Sequence, residues 1–186
     1  PDRLRHRIPL FDIDWTLLRG HNLVHHDAFD AGIERATGIA NAGAVGILRQ
    51  GMIDAQIVLE TLAANGLKAH EAAARGLLTG NVTGIGWAKL DRAGLSPWFS
   101  YGAFGDMGHR RVDLIEVARR QLEVVLHQPV PRDALVIIGD SLLDVACARD
   151  GGIPIVAVAA GESSVAELQA AGADVTVASL TELDTV

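Results

Sequence analysis

Apolar positions along the chain alternate between short unbroken runs and longer stretches with helical spacing. The run Ile8-Pro9-Leu10-Phe11 ends at Asp12, and Ala134 to Ile138 is a β-branched and aliphatic run ending at Gly139-Asp140. Such runs suit strands buried on both faces, as in a parallel sheet. Between them lie predicted helices. Asp27 to Thr37 and Ile53 to Asn65 have helical spacing. In the second, Ile53, Ile57, Leu59 and Leu62 fall near one face, and Asn65-Gly66 makes a stop. Gly76 to Asn81 predicts a short strand emptying into a Gly/Asn turn, and Thr83 to Ala93 a helix closed by Gly94. Trp98 to Phe104 reads as a strand, and Arg111 to Gln128 as the best helix, with Pro129 and Pro131 beyond it. Leu142 to Asp150 (helix), Ile155 to Val158 (strand), Ser163 to Ala171 (helix) and Asp174 to Ala178 (strand) complete the alternation. Strands alternating with helices imply a parallel sheet with right-handed crossovers.

In an open parallel sheet the binding crevice lies at the carboxyl ends of the strands. Three polar groups fall at such ends: Asp12 with Asp14, Thr79, and Asp140. Two carboxylates two residues apart can serve as nucleophile and proton donor beside one divalent cation. Asp12, first off its strand, would attack phosphorus. Asp14 would protonate the leaving oxygen and then activate water. Side-chain oxygens of Asp12 and Asp140 and the backbone carbonyl of Asp14 suit Mg²⁺, with Asp144 as a further ligand or as an anchor behind the others. Asp144 equally suits a helix N-terminal acid. The Thr79 hydroxyl and the N–H groups of Gly80 and Asn81 suit a phosphate oxygen, and Asn81 equally suits a role that only shapes the turn. Arg111 is the cation expected near the nucleophile, with Arg110 as runner-up.

Composition narrows the partners. The 186 residues allow one domain with a small insertion, and a net charge of −7 disfavours nucleic acid and anionic membranes. No apolar run approaches the ~18 residues of a membrane span. Cys147 is the single cysteine, so no intrachain disulfide forms; a reducing, cytoplasmic setting is the simpler expectation, with Cys147 as a small buried hydrophobe. The sequence opens on Pro1, so the natural start is expected upstream. The pair His25-His26 beside Asp27 is not read as a metal site, because adjacent helical residues do not face each other. Trp87 and Trp98 read as packing, His109 as a loop residue, and Glu167 and Asp174 as surface acids.

Phe11-Asp12-Ile13-Asp14-Trp15-Thr16-Leu17 resembles the first motif, DxDxT, of the haloacid dehalogenase-like hydrolase superfamily. Thr79 resembles its second motif, Arg111 its basic third, and Gly139-Asp140 to Asp144 its acidic fourth. Leu78-Thr79-Gly80-Asn81 and Gly102-Ala103-Phe104-Gly105 are similar to phosphoglycolate-phosphatase-like members. The resemblance implies an α/β fold: a three-layer Rossmann-like core (residues 1–18 and 76–186) around a central parallel sheet, with a small inserted α-helical cap (residues 19–75). It also implies Mg²⁺ dependence and hydrolysis of a small phosphorylated metabolite through an aspartyl-phosphate. Members that cleave carbon–halogen bonds resemble DxY at position 14, whereas Asp14 is the phosphatase or phosphomutase choice. A phosphomutase and a non-catalytic binding protein on the same scaffold are the alternatives. A phosphorelay receiver domain fits poorly, since Gly139-Asp140 comes late and helices are inserted.

Three departures stand out. Trp15 replaces the usual Gly, where its bulk would narrow the crevice mouth or meet the cap. Pro9 is expected to be its strand's first residue. Arg111 lacks the usual Lys-Pro context. Only eight residues separate Leu67 from Gly76, fewer than the dozen or so that a parallel crossover needs. Residues are therefore expected to be missing near 67–76, and consecutive Cα atoms there farther apart than ~3.8 Å would show the break.

Overall fold

The computed structural model describes residues 7–18 and 75–185. The expected helices at 27–37 and 53–65, the cap, and the shortened connection near 67–76 lie outside the described residues.

Six parallel strands form one sheet: β1 (Ile8–Phe11), β2 (Gly76–Leu78), β3 (Tyr101–Ala103), β4 (Leu135–Gly139), β5 (Ile155–Val158) and β6 (Val175–Val177). Their order is β3-β2-β1-β4-β5-β6, so the winding reverses between β1 and β4. That reversal opens a crevice beyond the carboxyl ends of those two strands. Register aligns Phe11 with Ile138 across it. The Asp12 N–H continues the ladder to the Ile138 carbonyl at 2.9 Å. Asp12 and Asp140 therefore leave the sheet side by side.

Alternate strand residues serve opposite faces. Leu10, Leu135, Ile137, Ile155 and Ala157 pack with α2 (Asp113–Leu126), α3 (Leu142–Gly151) and Leu168 of α4 (Val165–Ala170). Phe11, Val136, Ile138, Val156 and Val158 pack on the other face with Leu90 of α1 (Thr83–Arg92), Leu95, Phe99 and Phe104. Three layers result, as expected for an α/β Rossmann-like core. Cys147 is buried in the first of these cores, and burial pushes its thiol up to about 12. Trp87 packs against Phe104, with ring centroids 5.7 Å apart.

Local chemistry moves several boundaries. The long helix begins at Asp113 rather than Arg111, because the Asp113 carboxylate turns back to accept from the Arg110 N–H at 2.9 Å. The expected strand from Trp98 shrinks to Tyr101–Ala103, since Pro97 helps start a 3₁₀ turn over Ser96–Trp98. Pro9 is the second residue of β1, not the first. Main-chain N–H groups alternate sides, and that of Asp12 faces β4, so the Pro9 nitrogen faces β2. Pairing with β2 starts only at Leu10, and no ladder bond is lost. Two acids read as surface residues have structural partners. Glu167 closes a capping box with Ser164 at the start of α4, and Asp174 accepts from the Ile155 N–H at 2.9 Å.

Gly86 lies inside α1, where alanine is ordinarily favoured by about 1 kcal/mol. A Cβ there would stand 2.5 Å from the ring of Phe104, itself fully buried. Overpacking of this kind costs about 1–3 kcal/mol. Gly86→Ala is expected to lower the thermal midpoint, against helix propensity; a rise in calorimetry would show that the Phe104 ring yields freely.

Candidate active site

The first loop is a tight turn. Trp15 N–H donates to the Leu18 carbonyl at 2.8 Å, and Leu17 and Leu18 both donate to Ile13 at 3.0 and 2.9 Å. The turn needs a left-handed residue, and Trp15 supplies it at φ 57°. This explains why glycine is the usual occupant: a bulky residue there stores about 1–3 kcal/mol of backbone strain. The turn buries Ile13 and Leu17 while returning Asp12, Asp14 and Thr16 to the crevice side.

A cavity of about 390 Å³ opens there, lined by Asp12, Asp14, Trp15, Thr79, Gly80, Asn81, Arg111, Asp140, Ser141, Glu162 and Ser163. Trp15 does stand at the crevice, as expected; contact with the cap lies outside the described residues. Asp144 is set back from the wall, fully buried behind it.

Asp12 is 6% exposed and accepts from the Arg111 guanidinium at 2.9 Å. The same nitrogen also pairs with Asp144. Arg110 instead points outward, 3.1 Å from Asp113. Asp144 has both oxygens engaged: one on Arg111, the other accepting from Ser141 N–H at 3.1 Å and Ser141 Oγ at 2.6 Å. It is thus a helix-capping acid and an anchor for Arg111 at once. Asp140 accepts from Thr16 Oγ1 at 3.2 Å. Gly139 makes room for this arrangement, since a Cβ on it would lie 2.5 Å from the Asp144 carboxyl carbon.

Carboxylate oxygens of Asp12, Asp140 and Asp144 come within 4.8 Å of one another. Burial, then the charge of Asp144, pushes the Asp12 carboxyl up to about 8 despite the opposing pull of Arg111. The same two causes, in the same order, raise Asp140 to about 6. Burial works against the Arg111 charge, but Asp144 and Asp12 outweigh it and hold the guanidinium above its ordinary value. Among the described residues, three buried acids face one guanidinium, which leaves negative charge uncompensated. Hard oxygen donors in that state fit a divalent cation.

The second loop differs from expectation. Asn81 N–H turns in on Thr79 Oγ1 at 3.3 Å, and the Asn81 amide donates to Asp14 at 2.8 Å and to Thr79 at 2.9 Å. The helix itself starts at Thr83, as expected. In this arrangement Asn81 ties Thr79 to Asp14. Lys89, unmarked in the sequence reading, is 2% exposed and reaches Asp14 Oδ1 at 2.7 Å, Asp14 Oδ2 at 2.8 Å and Asn81 Oδ1 at 2.8 Å. One signal was available. Val82, Gly86, Lys89 and Ala93 fall on one helical face, and Lys89 is its single charge.

Residues 111–183 match the HAD-hydrolase-like family model. Over those residues the chain is similar to haloacid dehalogenase-like hydrolases. No curated protein matches it in sequence. Among solved structures, a presumed β-phosphoglucomutase from Thermotoga maritima is 18% identical with a TM-score of 0.62, covering 95% of each chain. A presumed phosphatase from Clostridium difficile is 18% identical with a TM-score of 0.62, covering 97% of each. CbbY from Rhodobacter sphaeroides, solved with xylulose-1,5-bisphosphate, is 19% identical with a TM-score of 0.60, covering 94% of this chain and 95% of that one. At such identities the likeness establishes the haloacid dehalogenase-like fold. No helix among the described residues is long and apolar enough to cross a membrane.

The raised carboxyls give this chain a pH signature. Unfolded, Asp12 and Asp140 lose their protons near the ordinary 3.8; folded, they keep them to about 8 and about 6. The folded state binds the extra protons in that window, so their contribution is complete below about pH 4 and disappears as pH rises through 6 and 8. Carboxylates held low, such as Glu116 at about 2, finish titrating below it. With a chelator present, the midpoint is expected to fall between pH 5 and 8.5. A divalent cation replaces those protons, so millimolar Mg²⁺ or Mn²⁺ is expected to raise the midpoint more at pH 8 than at pH 5. Equal shifts at both values would count against a divalent-cation site at Asp12 and Asp140.

Proposed function

We propose that the chain is a Mg²⁺-dependent phosphatase of a small phosphorylated metabolite, acting through an aspartyl-phosphate on Asp12. The observation that carries this reading is the meeting of Asp12, Asp14, Thr79, Arg111 and Asp140 around one cavity at the strand-order reversal. Asp12 and Asp140 would hold the ion by their side chains and Asp14 by its carbonyl, with Asp144 fixing Arg111 behind them. Bound there, Mg²⁺ would draw the substrate phosphate in and offset its charge.

Asp12 is buried, and Arg111 fixes its carboxylate from one side. An Asp12 oxygen attacks phosphorus in line as the bond to the alcohol oxygen breaks. Asp14 gives its proton to that oxygen, so the alcohol leaves neutral. Asp14 then takes a proton from water, whose oxygen attacks the acyl-phosphate and frees inorganic phosphate and Asp12. The Thr79 hydroxyl donates to a phosphate oxygen, its own oxygen already accepting from Asn81. Arg111 steadies charge on the transferring group. The phosphoglycolate-phosphatase-like resemblance of the second loop is the closest guide to substrate class.

A phosphomutase is the second reading, favoured by the fold shared with the Thermotoga protein. It differs in returning the phosphoryl group to a sugar hydroxyl instead of to water.

Asp12→Asn is expected to abolish metal-dependent hydrolysis of p-nitrophenyl phosphate, a loss of at least about 10³-fold, with far-UV circular dichroism unchanged. Near-normal turnover by the folded variant would remove the covalent mechanism. Product-isomer analysis with sugar phosphates separates hydrolysis from mutase chemistry.

A further inference from the structure

Lys89 lies outside the motifs and off the cavity wall, yet its ammonium is almost wholly buried. An ammonium carries three N–H donors. Here three oxygens receive them: both of Asp14 and the Asn81 carbonyl. None remains for a substrate, so whatever Lys89 does passes through Asp14 and Asn81.

Stability is a poor reason for such a group. Removing an ammonium from water is costly, and an apolar side chain at that place often serves packing as well. Asp14 does not need it for solvation either, its side chain being 32% exposed. What Asp14 gains is a fixed carboxylate. Lys89 grips both oxygens from α1, while the Asn81 amide grips one from the second loop. Proton transfer to a leaving oxygen is sensitive to such placement: misplacing a catalytic group by about 1 Å can cost about 10²-fold.

We infer that Lys89 is a positioning residue for the Asp14 acid/base, holding its carboxyl group together with Asn81 where, once protonated, it can give that proton to a leaving oxygen and, as carboxylate, take one from water. This rests on the phosphatase reading and deepens it. The effect of Lys89 then depends on the leaving group. An alkyl phosphate releases a basic alkoxide that needs the proton, whereas p-nitrophenyl phosphate releases a stable anion that hardly does.

The test compares kcat/KM, which reports steps up to alcohol release, for β-glycerophosphate and p-nitrophenyl phosphate with Mg²⁺. Wild type, Lys89→Met, Asp14→Asn and the double variant are measured, with circular dichroism and thermal midpoints alongside. Lys89→Met is expected to lose about ten- to a hundredfold more on β-glycerophosphate than on p-nitrophenyl phosphate. In the Asp14→Asn background it is expected to cost little more on either ester. Equal losses on both esters, no loss, or a full further loss in the double variant overturns the inference while leaving the phosphatase reading intact. Wild type inactive on both esters overturns that reading, and the inference with it. Lys89→Gln guards against misfolding: it keeps an amide donor and is expected to lose less selectivity than Lys89→Met. If neither variant folds, Lys89 is a structural tie and the inference falls.

Discussion

One guanidinium shared between two buried carboxylates organises the crevice. Asp12 and Asp144 arrive from β1 and α3, on opposite sides of the reversal in strand order, and Arg111 spans them from the loop before α2. Without that cation three acids would crowd one dry space. With it, the charge is reduced but not balanced, and the residue is carried by raised proton affinities on Asp12 and Asp140. A site in that condition binds protons or metal readily. The sheet supplies the placement and the arginine makes the placement tolerable.

A second network stands opposite the first. Thr79, Asn81, Lys89 and Asp14 form a chain of hydrogen bonds tying the β2 loop and α1 to the β1 loop. Asp12 therefore answers to Arg111 and Asp144, whereas Asp14 answers to Lys89 and Asn81. Two carboxylates separated by one residue thus occupy different electrostatic settings. Trp15, between Asp14 and Thr16, bears the backbone strain of the turn that separates them.

Much of this was legible in the sequence, for identifiable reasons. Ala134 to Ile138 reads as a buried strand because it has no polar interruption, and β4 occupies Leu135–Gly139. Asp12, Asp14, Thr79 and Asp140 could be gathered because each follows a strand, and parallel topology sends strand ends to one rim. Other features depend on distance in space rather than along the chain. Lys89 looks like any helical lysine until burial places it against Asp14, 75 residues earlier. Asn81 sits in a turn that suits a phosphate ligand, and only the fold brings its side-chain amide to Asp14. The Ser164/Glu167 box is legible from its S-x-x-E spacing alone, before any fold. The Pro9 position required the length of β2.

The sheet's outer strands, β3 and β6, are only three residues each. A strand edge is a template on which another chain can add by main-chain pairing, and its appeal grows with its length. Interior strands such as β4, long and wholly apolar, would be hazardous at that position. Placing the longest strands, β1, β4 and β5, inside leaves little continuous backbone on these edges for a second molecule to copy. The arrangement that concentrates chemistry at the centre of the sheet thereby also limits strand pairing at the rims formed by the described residues.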